Sequence, residues 1–350
     1  MIKFDNFNQG VVSNNNICVI YNENNIFEFY NLDTMKLIHR INGLFKNKDT
    51  LVHSIKFSND NKHLVIIGQY SEVFIFKIEN DTVSLIYKEE DNNLDTLFCR
   101  LNMTNDYFIV NFFTLKNKKR DTTILKAYSF DGLHQDKIDL GYTQLMHYSK
   151  IDNKFELFLS NHGSVNICIC SFDNYKLSLN DITNQLSISN FKFNSMFGNA
   201  KDIIYSFSEN ECISLGNRCF AIGIPFVSDC FYKLNLKNNE SEYLFDNPTN
   251  EFRESKIINN IINNKLYIYE GDYLNITYKG NRKRNVINNI TFYECDILKK
   301  EVKILKKYEL SMPNSKEYME IRSFNKDYLV YCYYNYVLIY KTDELEEIKE

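Results

Sequence analysis

Val52-His53-Ser54-Ile55-Lys56-Phe57-Ser58-Asn59-Asp60-Asn61-Lys62-His63-Leu64-Val65-Ile66-Ile67-Gly68, with Glu72-Val73-Phe74-Ile75-Phe76-Lys77-Ile78-Glu79 close behind, is the stretch whose reading decides the fold. Apolar and polar residues alternate through 52–57 and again through 73–76, the period of half-buried strands. Between them lies a run of Ser, Asn and Asp, residues that close turns with their own side chains. A further apolar run at 83–87 completes four short strands in under 40 residues, a compact antiparallel unit.

The end of the third strand recurs along the whole chain. Its phrase runs apolar, any, apolar, aromatic, polar, apolar, then Asp, Asn or Glu. The copies end Tyr30-Asn31-Leu32-Asp33, Phe76-Lys77-Ile78-Glu79, Tyr128-Ser129-Phe130-Asp131, Cys170-Ser171-Phe172-Asp173, Tyr232-Lys233-Leu234-Asn235, Tyr293-Glu294-Cys295-Asp296 and Tyr340-Lys341-Thr342-Asp343. These anchors lie roughly 40 to 60 residues apart, the spacing of propeller blades. One four-stranded sheet cannot bury both of its faces; sheets stacked radially give each two apolar neighbours. The aromatics of the third strands then supply the contact from blade to blade.

Residues 52–87 resemble a WD40 repeat in the Phe57-Ser58-Asn59-Asp60-Asn61-Lys62 turn, in Gly68 after the second strand and in the aromatic that closes the third. Tyr30-Asn31-Leu32-Asp33-Thr34-Met35-Lys36-Leu37 is similar to that family's Trp-Asp and the Thr-Gly-Lys turn that follows. Phe or Tyr stands throughout where the family has Trp. The resemblance implies an all-β fold, a seven-bladed β-propeller of four-stranded antiparallel blades, with six or eight blades also open. The expected blades are 1–43, 51–89, 95–140, 143–184, 188–246, 255–311 and 317–350, forming a single propeller domain over 1–350. In the first, strands are expected at 2–7, 17–21, 26–32 and 36–41; in the last, at 320–324, 328–333, 337–340 and 345–348. In the fifth, 203–207 and 231–236 are expected as second and third strands, with Cys212, Gly216, Arg218, Cys219, Gly223 and Pro225 in a long loop between them. A ring closed by strands from one end only would have its weakest joint at that seam.

Composition narrows the function classes. The chain of 350 residues carries a net charge of -4 and a hydrophobic fraction of 44%, with 27 Phe, 25 Tyr, 3 Pro and no Trp. That balance supplies a core and argues against a surface devoted wholly to nucleic acid. No run approaches the ~18 apolar residues of a membrane-spanning helix. The residues from Met1 to Asn6 lack the pattern of a secretory signal, and 9 Cys, an odd number, suit free thiols in a reducing compartment. An intracellular location, cytoplasmic or nuclear, is expected on those grounds.

The sequence holds no phosphate-binding loop, dinucleotide fingerprint, zinc-protease helix, nucleophile elbow or calcium loop. No catalytic residue, cofactor or metal ligand set is expected. Cys168 and Cys170 fall on one face of a strand and suit a packed joint, since no second ligand pair follows at zinc spacing. Cys212, Cys219 and Cys230 cluster along the fifth blade, and His134, His147 and His162 around the fourth, without a ligand pattern.

The signal that points outward is charge. Lys116-Asn117-Lys118-Lys119-Arg120 and Lys279-Gly280-Asn281-Arg282-Lys283-Arg284 both fall between second and third strands, in the third and sixth blades. Equivalent loops of a propeller emerge on one side, and the fifth-blade insertion with Arg218 joins them there. Lys118, Lys119, Arg120, Arg218, Arg282, Lys283 and Arg284 are therefore the candidate partner-binding residues. Glu89-Glu90-Asp91 falls on the same side and is expected to weaken their field. Exposed hairpins also carry charge simply for solubility.

The function expected is a non-catalytic WD40-like scaffold for protein partners, docking on the loops of blades three, five and six. Two alternatives stay open. One is a propeller hydrolase with its site at the central channel; the other is an RNA- or ribosome-associated propeller, or one taking a phosphate-bearing ligand.

Overall fold

The computed structural model describes residues 2–7, 9–46, 51–79, 81–90, 96–116, 119–151, 154–161, 164–181, 200–206, 211–218, 228–235, 240–246, 254–262, 265–278, 282–309, 320–325, 327–332 and 336–344. Their strands form seven four-stranded antiparallel sheets, each a meander of chain neighbours save one. After β1 (Ile2–Asp5), sheet one holds β2 (Gln9–Val12), β3 (Ile17–Tyr21), β4 (Ile26–Asn31) and β5 (Lys36–Asn42). Sheet two holds β6 (Val52–Phe57), β7 (His63–Gly68), β8 (Val73–Glu79) and β9 (Thr82–Glu89). Sheet three is β10 (Thr96–Met103), β11 (Tyr107–Lys116), β12 (Lys119–Ser129) and β13 (Gln135–Asp139). Sheet four is β14 (Gln144–Ile151), β15 (Lys154–Asn161), β16 (Ser164–Asp173) and β17 (Lys176–Asp181). Sheet five takes β18 (Ala200–Ser206), β19 (Glu211–Arg218), β20 (Ser228–Asn235) and β21 (Glu240–Asp246). Sheet six takes β22 (Glu254–Ile262), β23 (Lys265–Tyr278), β24 (Arg282–Asp296) and β25 (Glu301–Glu309). Sheet seven is β26 (Glu320–Phe324), β27 (Tyr328–Cys332) and β28 (Tyr336–Lys341), with β1 hydrogen-bonded to β28 as its fourth strand. Among the described residues no helix is long and apolar enough to cross a membrane.

The central strands show why these sheets stack face to face. Leu64 and Ile66 of β7 pack with Phe27 and Phe29 of sheet one. Val65 and Ile67, one residue out of phase, pack with Phe108 and Val110 of sheet three. A strand whose successive side chains point to opposite faces can be buried at every position only when both faces are covered. The joint between sheets three and four repeats the pattern with Tyr107, Ile109, Phe155, Leu157 and Cys170. Phe231 and Phe245 meet Ile268 and Cys295 between sheets five and six. Outer strands face neighbours less fully, and β13 alternates accordingly between exposed and half-buried positions.

The recurring phrase has two jobs. Its aromatic faces the preceding sheet: Phe76 packs with sheet one and Tyr128 with sheet two. At Phe29/Tyr30, Ile75/Phe76, Phe231/Tyr232 and Phe292/Tyr293 the pairing with the fourth strand also shifts by one residue, a bulge that sharpens the twist. The acid or amide that follows closes the next turn. Asp131 Oδ1 accepts from the backbone N–H of Leu133, and Asp296 Oδ1 from Leu298 and Lys299; in the first copy the polar residue, Asn31, does this for Asp33. In sheets one, two, three and seven the first turn has its own closer: Ser13, Ser58, Thr104 and Asn325 accept from the N–H of Ile17, His63, Tyr107 and Tyr328.

Two expectations of strand placement are corrected. The N-terminal strand leaves the first sheet and completes the last, so Gln9–Val12 takes the innermost place in sheet one. Val11 and Val12 are a short apolar pair after Gly10, too brief to stand out in sequence, whereas Ile2 and Phe4 alternate plainly but fit either neighbour. Residues 345–348, expected as the closing strand, lie outside the described residues. In sheet five, Glu211–Arg218 is the second strand, so Cys212, Gly216 and Arg218 belong to a strand, and 203–206 of the segment expected at 203–207 falls in the first, residue 207 lying outside the described residues. Cys219, Gly223 and Pro225 lie outside the described residues.

Sheets seven and one are joined by a buried polar network at the turn end. The Asn325 side-chain amide donates to Ser13 O at 2.6 Å and Asn16 Oδ1 at 2.7 Å. Asn16 Nδ2 donates in turn to Asp33 Oδ1 at 2.9 Å and Asp327 Oδ2 at 3.2 Å, and the Tyr328 hydroxyl donates to Leu32 O.

Candidate partner-binding rim

In an antiparallel meander the hairpin between second and third strands leaves at the end opposite the two outer turns. The basic runs of sheets three and six, and Arg218 of sheet five, fall on such hairpins. Lys119 and Arg120 open β12, opposite Lys116 and Leu115 of β11. Arg218 ends β19 opposite Ser228. Arg282, Lys283 and Arg284 open β24, opposite Tyr278, Thr277 and Ile276. Lys118, Lys279, Gly280 and Asn281 lie outside the described residues.

Among the described residues these three ribbons reach past the pairs that flank them. In sheet three the described first strand pairs as far as Thr114 and the fourth from Ile124, and the rungs holding Lys119 and Arg120 stand beyond those pairs. In sheet five the described flanking pairs reach Gly216 and Cys230, short of Arg218. The longest such reach is in sheet six, where the described flanking pairs end at Gly271 and Asn289 while β23 and β24 run on to Tyr278 and Arg282. That two-stranded arm is about 20 Å long at ~3.3 Å per residue. In sheets one and two the hairpins stop level with the first strand, at Tyr21 and Ile67.

Register also divides the sixth-sheet cluster. Residues opposed in an antiparallel pair share a face, and neighbours along a strand do not. Arg282 and Arg284 therefore lie on one face of the arm with Ile276 and Tyr278, and Lys283 on the other with Thr277.

The acids expected to weaken this rim are already engaged. Glu90 forms ion pairs at 3.0 Å with both Lys46 and Lys88, its side chain only 6% exposed. Burial opposes its charge, and the two ammonium groups override that, holding the carboxyl below the usual range. Glu89 is enclosed by Lys126, with the Tyr87 and Tyr128 hydroxyls donating to Oε2 at 3.0 and 2.8 Å. Burial again works against it, but Lys126 and the tyrosines leave its pKa lowered. Asp91 lies outside the described residues. Lys46, in the bend after β5, and Lys126, in β12, are distant in sequence, so only Lys88, close by in sequence, signalled that these acids are paired.

The other groups singled out by sequence fall elsewhere. Cys168 and Cys170 are buried in the joint between sheets three and four, and burial pushes the Cys170 thiol up to about 12, which keeps it protonated and unreactive. Cys212 lies opposite Leu234 and Cys230 opposite Gly216, so the two are several rungs apart along one ladder. His134 closes the outer turn of sheet three and stacks on Tyr175; His147 lies in β14, and His162 is outside the described residues. Among the described residues no three His, Cys, Asp or Glu side chains converge as a metal site would require.

Comparison with solved structures matches this architecture over nearly the whole chain. The C-terminal WD40 domain of Sif2 superposes with a TM-score of 0.55 at 12% identity, covering 97% of this chain and 96% of that one. A chain of the mitotic checkpoint complex gives 0.50 at 10% identity, over 97% and 94%. The oligogalacturonate lyase of Vibrio parahaemolyticus gives 0.51 at 10% identity, over 96% and 90%. Such likeness at low identity establishes the β-propeller fold, shared by WD40 domains and by an enzyme. No family model matches the sequence, and no curated relative matches it.

Proposed function

We propose that this β-propeller is a non-catalytic platform that captures protein partners on the rim formed by the second-to-third-strand hairpins of sheets three, five and six. The observation that supports the reading is that these ribbons carry basic residues past the described pairs of the strands that flank them. A hairpin that stands clear of its sheet adds little to the core, and it presents its charge to whatever approaches. The pairing of Glu89 and Glu90 with lysines leaves the basic runs less opposed than adjacent acids would.

Lys118, Lys119, Arg120, Arg218, Arg282, Lys283 and Arg284 act in this reading as a steering field for an acidic partner surface. Charges at an exposed rim change the rate of encounter and its salt dependence more than the lifetime of the complex. The sixth-sheet arm goes further, because its register sets Arg282 opposite Tyr278 and Arg284 opposite Ile276, which brings basic and apolar residues together on one ribbon.

Replacing Arg282, Lys283 and Arg284 together by Glu tests the reading. Capture of the native partner from a cell extract at low salt should fall about tenfold, while stability changes by less than about 0.5 kcal/mol, as for other surface substitutions. The Arg282→Glu, Arg284→Glu pair should account for most of the loss, and Lys283→Glu alone for little. Undiminished capture by the triple variant would remove this rim from the function.

A further inference from the structure

The opposite end of the sheets carries a feature that the rim does not use. Between β16 and β17 the chain turns through Asn174 and Tyr175 alone, since Asp173 and Lys176 already pair. Both turn residues have positive φ, 50° and 62°. A two-residue hairpin needs that conformation at both positions and favours Asn followed by Gly. Asn174 suits the first position, but a bulky aromatic at the second is unfavourable. Tyr175 is nevertheless 54% exposed, so burial does not repay the conformation.

Its ring is held by the neighbouring sheet. The His134 imidazole stacks on it with centroids 3.4 Å apart and planes at 15°. Phe172 meets it edge-on at 6.3 Å and itself packs on Tyr107 at 5.4 Å. Beside His134, Leu133 is 77% exposed at the turn of sheet three. The result is an aromatic shelf across two sheets, anchored in the core at Tyr107 and open at Tyr175 and Leu133.

Carboxylates surround the shelf. Asp136 reaches across from sheet three to accept from the Leu177 N–H at 3.0 Å, which ties the two turns together. Asp131 accepts from the Leu133 N–H at 2.9 Å, and Asp173 accepts from the Ser171 hydroxyl at 2.6 Å. Burial raises the pKa of the Tyr107 phenol, and the charges of Asp173 and Asp106 nearby add to that. Asp131, Asp136 and Asp173 at the two turns stand against two cations, Lys137 and Lys176, and Asp106 lies on the neighbouring first turn of sheet three. The local sign is therefore negative, opposite to that of the hairpin rim at the other end.

We infer that the shelf of Leu133, His134, Phe172 and Tyr175 docks an arginine-bearing extended segment of a partner protein. A guanidinium stacks on an aromatic face and bonds carboxylates with its planar fork, so it satisfies ring and acids at once. An acidic segment would be repelled by Asp131, Asp136 and Asp173. A purely aliphatic one would leave those carboxylates facing apolar surface. Positive φ at an exposed tyrosine fits a residue kept for contact rather than for the turn.

The test uses the full chain and a fluorescein-labelled peptide, Gly-Ser-Arg-Gly-Arg-Gly-Arg-Gly-Ser, followed by anisotropy at low salt. The same peptide with each Arg replaced by Leu or by Glu serves as comparison. Wild type should bind the arginine peptide at least tenfold tighter than either. Tyr175→Gly, which suits the positive φ, should weaken binding about tenfold without lowering Tm. Asp136→Asn still accepts from Leu177 N–H but lacks the charge; it should weaken binding about threefold and flatten its salt dependence. Equal affinity of wild type and Tyr175→Gly, or equal affinity for the leucine peptide, overturns the inference.

Discussion

At Glu89 a half-buried carboxylate is held by Lys126, Tyr87 and Tyr128, groups from two sheets. Burial alone would raise its pKa, and the ammonium and hydroxyl donors reverse the sign, so it ionises below its ordinary value of 4.5. A carboxylate depressed in the folded state stabilises the fold fully above the unfolded pKa and loses that contribution as pH falls through the folded one. Glu89→Gln should therefore cost about 1–2 kcal/mol in urea unfolding at pH 7. The gap between wild type and variant should narrow as pH falls through and below 4.5. A gap of the same size at pH 3 would mean that shape, not charge, is what Glu89 supplies. The tyrosine at the head of the repeated phrase was legible in sequence as a packing residue. That Tyr128 would also donate to a carboxylate of the preceding sheet was not, because Glu89 lies 39 residues away in sequence.

At the scale of the element, side chains satisfy backbone donors at described turns of sheets one, two, three, six and seven. Ser58 serves the His63 N–H, and Asp296 serves Leu298 and Lys299. Ser58→Ala and Asp296→Ala should each lower stability by about 1 kcal/mol, and the double variant by their sum, since the turns belong to separate sheets. Unfolding midpoints in denaturant with unchanged slope would register this; a strongly non-additive double variant would deny that the turns act independently. The closing acid or amide of each phrase was readable because turn chemistry is local. Sheet five was misread for the complementary reason. Its second strand, Glu-Cys-Ile-Ser-Leu-Gly-Asn-Arg, holds a Gly and two turn-forming polar residues, and only its pairing with β18 and β20 makes it a strand.

For the whole molecule, closure of the last sheet is the decisive contact. β1 adds to the edge of β28 in register Ile2↔Ile339 to Asp5↔Tyr336, so strands from both ends of the chain share one sheet. Phe4 packs at a tilt against Tyr30, and Phe7 enters the core between sheets seven and one. Deleting residues 1–7 should cost at least about 3 kcal/mol through the lost burial of Phe4 and Phe7. It would also leave the Tyr336–Lys341 edge open to self-association. Hydrogen exchange would then show protection lost first in β28 and β27; loss spread evenly over all seven sheets would argue against a seam.

The amino-acid sequence by itself determined the strand content, the repeat and the chemistry of the turns. Alternation, β-branched and aromatic runs and Asx closers all act within a few residues of one another. It also placed the basic runs on the second-to-third-strand hairpins, because a meander assigns every turn to one end or the other. Only the tertiary structure decided which sheet receives the N-terminal strand, how far each ribbon reaches past the described pairs that flank it, and which lysines neutralise Glu89 and Glu90. Those outcomes depend on contacts between residues dozens to hundreds of positions apart, where several pairings satisfy the same local pattern and packing across a joint selects one.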